Sequence, residues 1–121
     1  MILVDTTIWV DHLRSGDPIL EALLNDVRVL VHPHVIGELA LGGLRRRQML
    51  LNALQRLPRA TEATNPEVLH FVESNGLMGL GIGWIDAHLL ASARLSTAAL
   101  WTRDSRLHKA ASSLALAYAP E

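Results

Sequence analysis

The chain opens on Met1-Ile2-Leu3-Val4, an unbroken apolar run with β-branched members that ends at Asp5. A run without alternation marks a strand buried on both faces, so a first strand is expected over 1–5. Thr6 and Thr7 then offer hydroxyls suited to starting a helix that continues to about Leu13. Asp17-Pro18 begins another, whose stripe of Ile19, Leu20, Leu23 and Leu24 ends near Asn25. Val27 to His32 predicts a second strand. Pro33 sits in the first turn of a helix carrying Val35, Ile36, Leu39 and Ala40, and Gly42-Gly43 ends it.

The spacing of Met49, Leu50, Ala53, Leu54 and Leu57 predicts a helix over Arg45–Leu57, stopped by Pro58. Residues 59–64 are expected as a short edge strand. Asn65 caps a helix with Pro66 in its first position, running from Glu67 to Asn75. Four glycines between Gly76 and Gly83 predict a flexible loop. After it come a helix over Trp84–Leu95, a strand over Ala98–Trp101, a helix over Ser105–Leu114 with Leu107, Ala110, Ala111 and Leu114 inward, and a last strand over Ala115–Tyr118.

Strands that alternate with helical stretches imply parallel pairing and hence an α/β sandwich, here a single domain over 1–121. Ligands of such sheets sit beyond the carboxyl ends of the strands. Asp5 and Asp104 both stand just past such an end.

Composition narrows the chemistry. Half the residues are apolar and mean hydropathy is +0.23, which reads equally as a rich private core or as surface that a partner covers. The absence of cysteine excludes disulfides, thiolate zinc sites and cysteine nucleophiles. No basic segment precedes an apolar one at the start, and no charge-free run approaches the ~18 residues of a membrane span, so a cytoplasmic protein with no membrane contact is expected. A formal net charge of -1 means that any nucleic-acid binding must be local. Ten of the 11 cations are arginines, the lone lysine is Lys109, and the densest patch is Arg45-Arg46-Arg47. That run reads as a solvated helix face or as a phosphate-contact surface.

Four carboxylates stand out. On a helical wheel Asp86 falls between Leu89 and Leu90, on the apolar side of its helix, where a carboxylate is costly unless paired or metal-bound. The alternative is an acid in a first turn, favoured by the helix dipole. Glu38 is the only charge between His34 and Arg45 and lies between Val35 and Leu41 on its wheel, or else on an exposed stripe. Asp5 and Asp104 could each simply cap the helix that follows. Taken together, two strand-end aspartates and two acids on apolar helix faces resemble the oxygen-only donor set that Mg2+ or Mn2+ takes, while zinc is disfavoured without histidine among the four.

Val4-Asp5-Thr6-Thr7, Val35-Ile36-Gly37-Glu38-Leu39, Ile85-Asp86-Ala87-His88-Leu89-Leu90-Ala91 and Leu100-Trp101-Thr102-Arg103-Asp104, in this order and from end to end, resemble the PIN-domain ribonucleases. Within them the likeness is to the toxin half of VapBC-type toxin-antitoxin pairs. The resemblance implies a PIN-like three-layer α/β/α sandwich with a mainly parallel sheet. It implies that Asp5, Glu38, Asp86 and Asp104 bind one or two divalent ions, with Thr6 and Thr102 orienting carboxylates or water. It also implies that water so activated hydrolyses RNA to 5'-phosphate and 3'-hydroxyl ends. The family's last acidic motif often carries its aspartate further beyond the threonine than the two positions seen here, which leaves a three-acid site open, with Asp104 as a cap.

Arg103, Arg106 and Lys109 follow that site and are candidate phosphate contacts or plain surface cations. Trp9, Trp84 and Trp101 read as core or interface, and His88 as structural. The apolar composition and the helical pair over 35–57 suggest a homodimer, and the resemblance adds a VapB-type antitoxin peptide seated near that pair. A phosphoacceptor receiver domain would need an adjacent acidic pair and a strand-end lysine, and a haloacid-type phosphatase an Asp-x-Asp; Asp5-Thr6-Thr7 offers neither. A non-catalytic PIN-like RNA- or protein-binding module is the remaining alternative.

Overall fold

The computed structural model describes residues 1–120, and the opening apolar run forms the middle of its sheet. Strand β1 (Ile2–Val4) lies between β2 (Val29–Leu30) and β3 (Ala99–Trp101), parallel to both. The register sets Leu3 beside Leu30 on one side and Leu100 on the other, and Val4 beside Trp101. Successive strand side chains point to opposite faces, yet Ile2, Leu3 and Val4 are all buried. Both faces are therefore covered, as in a three-layer α/β/α sandwich.

Helices α1 (Thr6–Ser15) and α2 (Pro18–Asn25) carry the chain from β1 to β2. Helices α3 (Pro33–Leu41), α4 (Arg47–Gln55), α5 (Asn65–Ser74) and α6 (Trp84–Leu95) lead on to β3, and α7 (Ser105–Ser113) follows it. The chain leaves β1 for one neighbour and returns to the other, so the carboxyl end of β1 is a topological switch point, flanked by the starts of α1 and α7.

The two outer strands expected from sequence contract to single parallel bridges, Val31 with Arg59 and Leu100 with Ala117. Ala60 N still donates to Val31 O, but the next donor, Thr61 N, turns to Ser96 Oγ and leaves the sheet. On the other edge Leu100 alone exchanges both its backbone bonds with the last segment, through Leu116 O and Tyr118 N. Helix α5 is capped by Thr64, not Asn65: Thr64 Oγ1 accepts from Glu67 N and Glu67 Oε1 from Thr64 N. This reciprocal pair satisfies two backbone donors, more than Asn65 would as a cap.

The helix expected from Arg45 starts only at Arg47, because Arg46 takes a left-handed backbone (φ 52). Arg45 and Arg46 thus occupy a turn, Arg47 opens the helix, and its Nε donates to Ala40 O near the end of α3. The glycine-rich stretch 76–83 contains neither helix nor strand. Trp9 and Trp101 are core residues, while Trp84 is 44% exposed.

Candidate active site

Strand β1 delivers Asp5 to the cap position of α1 with an extended backbone, but its side chain does not cap the helix. Asp5 Oδ2 accepts instead from Thr102 Oγ1 (2.7 Å) and Thr7 Oγ1 (2.9 Å). Each hydroxyl is aimed by a backbone N–H of the turn after β3: Asp104 N donates to Thr102 and Arg103 N to Thr7, both at 3.0 Å. The pairing of Val4 with Trp101 sets these two strand ends side by side, so the network follows from sheet register. A buried carboxylate is costly without such partners, and Asp5 is 5% exposed.

Asp104 caps α7, its Oδ1 accepting from Arg106 N (2.9 Å) and Leu107 N (3.1 Å). Asp86, half-buried in the first turn of α6, accepts from Gly83 N through Oδ2 (2.9 Å). Glu38 is exposed on α3, unlike the apolar-side placement its wheel suggested, and its Oε1 accepts from Thr6 Oγ1 (2.8 Å). All four acids nevertheless line one open cleft of about 540 Å3, together with Thr6, Thr7, Asp11 and Arg103. A second cavity of about 450 Å3, between α5 and α6, is apolar and contains none of these four.

Each of the four commits one oxygen to the protein. Among the described residues, Asp5 Oδ1, Glu38 Oε2, Asp86 Oδ1 and Asp104 Oδ2 have no protein donor. Burial raises the Asp86 carboxyl above its ordinary range and the charges of Asp5 and Asp104 raise it further, against the pull of the Gly83 N–H. Asp86 thus feels the field of the other two aspartates.

Among the described residues no three of His, Cys, Asp and Glu close around one point as a finished metal cage. Magnesium does not require one, since it keeps several waters and is held by one or two carboxylates with substrate phosphate. Four uncommitted carboxylate oxygens fit Mg2+ or Mn2+ as a donor set; zinc, which favours nitrogen and sulfur, finds no histidine in the cleft lining.

The three candidate cations divide. The Arg103 guanidinium is held by Asp11 (2.8 Å) and Asp17 (2.5 Å), which raise its pKa, so it clamps the turn after β3 to helix α1 and the start of α2. Burial raises the Asp17 carboxyl, but the N–H of Leu20, Arg103 and the N–H of Ile19 outweigh it and the net shift is downward. Arg106 and Lys109 line a separate cleft. Thr7, Asp11 and the Arg103 clamp escaped the sequence reading; the only local signal was a threonine two residues after Asp5.

Three of the six histidines serve the fold. His12 Nδ1 accepts from Asp17 N, His32 Nδ1 accepts from His34 N, and His88 Nε2 faces Asn65 Oδ1. Burial, with His34 and His88 nearby, pushes His32 down to about 4, so it is neutral at physiological pH.

The family model described as PIN domain matches residues 2–112 of the chain. Two relatives named Ribonuclease VapC32, from Mycobacterium tuberculosis strains CDC 1551 / Oshkosh and ATCC 25618 / H37Rv, are each 45% identical to it over 122 residues, covering 100% of this chain and 98% of theirs.

Proposed function

The chain belongs to the PIN-domain family, among the VapC-type toxins, and on that premise we propose that it is a Mg2+- or Mn2+-dependent endoribonuclease acting at the carboxylate cleft. A toxin ribonuclease of this type implies an RNA substrate and a VapB-type antitoxin. The observation that carries the metal-dependent reading is the set of four acids, from four separate stretches of chain, each offering one uncommitted oxygen to one cleft at the switch point.

Asp5, Glu38, Asp86 and Asp104 would hold the metal. A divalent ion held there would supply a water easier to deprotonate and would offset charge on the phosphate oxygens. The chain's own contribution is orientation. Thr7 and Thr102 fix the Asp5 carboxyl through Oδ2, and the α7 cap fixes Asp104 through Oδ1. Thr6 steadies Glu38, and Gly83 N steadies Asp86. Attack on phosphorus with departure of the 3'-oxygen leaves 5'-phosphate and 3'-hydroxyl ends.

Purified protein should cut structured RNA in Mg2+ or Mn2+, stop in EDTA, and resume when Mg2+ is restored. Cleavage undiminished by EDTA would remove the metal from the reading. Folded protein that cuts no RNA in any divalent ion would leave the non-catalytic module.

We also propose a homodimer, with the antitoxin seated on the α3–α4 pair. These helices pack together, leaving Leu41 91% and Met49 66% exposed beside a cleft of about 280 Å3 whose lining includes Leu13, Leu44 and Arg45. Apolar surface of this kind is what a partner covers. Light scattering should give twice the chain mass, and the protein expressed from its own operon should co-purify with a small partner. A monomer that brings none down would count against both. Among the described residues no helix is long and apolar enough to cross a membrane.

A further inference from the structure

Arg106 and Lys109 line a cleft of about 340 Å3 with Leu80, Ala110 and Ser113, next to the carboxylate cleft yet distinct from it. Helix α7 and its cap contribute to both clefts. Helix α7 places Asp104 in one and, further along, Arg106 and Lys109 in the other. The glycine-rich loop lines only the second cleft, through Leu80, with Gly81 against the Arg106 side chain, and is tied to the first by the hydrogen bond from Gly83 N to Asp86.

We propose that this second cleft is a phosphate subsite for an unpaired stretch of a structured RNA, whose neighbouring phosphodiester lies at the carboxylates. The inference rests on the nuclease reading and adds to it how the strand is held. From Asp104 to Lys109 the helix rises about 7.5 Å, the span of roughly two stacked nucleotides. A cation row at that distance meets a phosphate one or two positions from the scissile bond. Such a contact is needed because five acids, Asp5, Asp11, Glu38, Asp86 and Asp104, line the reaction cleft and repel a polyanion, while the Arg103 side chain is already held by Asp11 and Asp17. Among the described residues neither Arg106 nor Lys109 is in an ion pair.

Gly81 is the seat of Arg106. A Cβ built there would meet Arg106 Cδ and Nη1 at 2.9 Å, and the backbone has φ +76, which side chains rarely adopt. A larger residue would drive the guanidinium out of its place along the loop. The glycine is thus a positioning residue for the phosphate contact, and the conformational freedom of the loop is used at a definite point.

The test is fluorescence anisotropy with fluorescein-labelled single-stranded RNAs of about a dozen nucleotides and two unrelated sequences, in EDTA so that neither is cut. The double variant Arg106→Ala/Lys109→Ala should bind both RNAs about tenfold more weakly than the parent. Its log Kd against log salt should be shallower by about 1.4, near 0.7 for each lost contact to single strand. Arg106→Lys should recover part of the loss, and Gly81→Ala, which displaces the guanidinium without removing its charge, should lose less than Arg106→Ala. If Gly81→Ala fails to fold, the arginine and lysine variants still decide. Parent affinity and slope in the double variant would overturn the subsite, as would a loss confined to one RNA sequence. Cleavage by the same parent preparation in Mg2+ reads the nuclease function separately: a cutting parent with indifferent variants rejects the subsite alone, and a parent that neither cuts nor binds RNA rejects both.

Discussion

Asp5→Asn is expected to slow single-turnover RNA cleavage in saturating Mg2+ by about a thousandfold while leaving the fold intact. Asparagine keeps the shape, and its Oδ1 can accept from Thr7 and Thr102 as Asp5 Oδ2 does. What changes is the atom turned to the cleft, an amide nitrogen where an anionic oxygen stood. A metal ion at such a site supplies several kcal/mol of charge stabilisation in the transition state. Losing about 4 kcal/mol of it corresponds to roughly three decades at 1.36 kcal/mol per decade. Single-turnover rates are the proper readout because product release does not mask the chemical step. An Asp5→Asn protein that cuts as fast as the parent would end the claim that Asp5 is catalytic.

The second large effect separates function from stability at one residue. Asp86→Asn should lower metal-dependent cleavage by two decades or more, yet leave the metal-free protein as stable as the parent or more so. The Asp86 carboxyl holds its proton more tightly in the folded protein than an unfolded chain does, where the ordinary value is 3.8. Well below that value both states are protonated and Asp86 is neutral for stability. As pH rises from there through the raised folded value, the native state is progressively penalised, and at neutral pH the penalty is complete. Asn removes the buried charge and the repulsion from Asp5 and Asp104, and it can still accept from Gly83 N.

Magnesium should raise the melting temperature of the parent, since metal binds the native state. At a hundredfold excess over Kd the gain is about 2.7 kcal/mol, on the order of 10 °C for a chain of this size. Asp86→Asn should gain much less. Thermal melts at pH 4 and pH 7, in EDTA and in excess Mg2+, check all three statements. A metal-free variant markedly less stable than the parent at pH 7 would make Asp86 a structural hydrogen-bonding residue.

Much of this protein was legible along the chain because the signals are local. Apolar runs and stripes with proline and glycine stops foretold all seven helices among the described residues and the three strands that the sheet retains, and Trp84–Leu95 agrees residue for residue. Register between segments distant in sequence was not legible. Whether 59–64 and 115–118 pair at length depends on which partner each backbone donor finds; Thr61 N finds the Ser96 side chain, which no periodicity reveals.

The candidate site divides in the same way. The types and order of Asp5, Glu38, Asp86 and Asp104 were set by sequence, because a carboxylate after a buried strand or within an apolar stripe stands out against its neighbours. Asp86 and Asp104 are bound by backbone N–H groups of their own helix starts. For the other two, tertiary structure alone decided which oxygen is bound by the protein and which is left over, since the donors arrive from other elements: Thr102 for Asp5, Thr6 for Glu38. It decided that Glu38 is exposed, that Asp104 both caps α7 and lines the cleft, and that Arg103 is spent on Asp11 and Asp17 while Arg106 lies along Gly81. Periodicity assigns a residue to a face of its own element, but hydrogen bonds and ion pairs are made with whatever the fold brings opposite it, and only the packed chain fixes that.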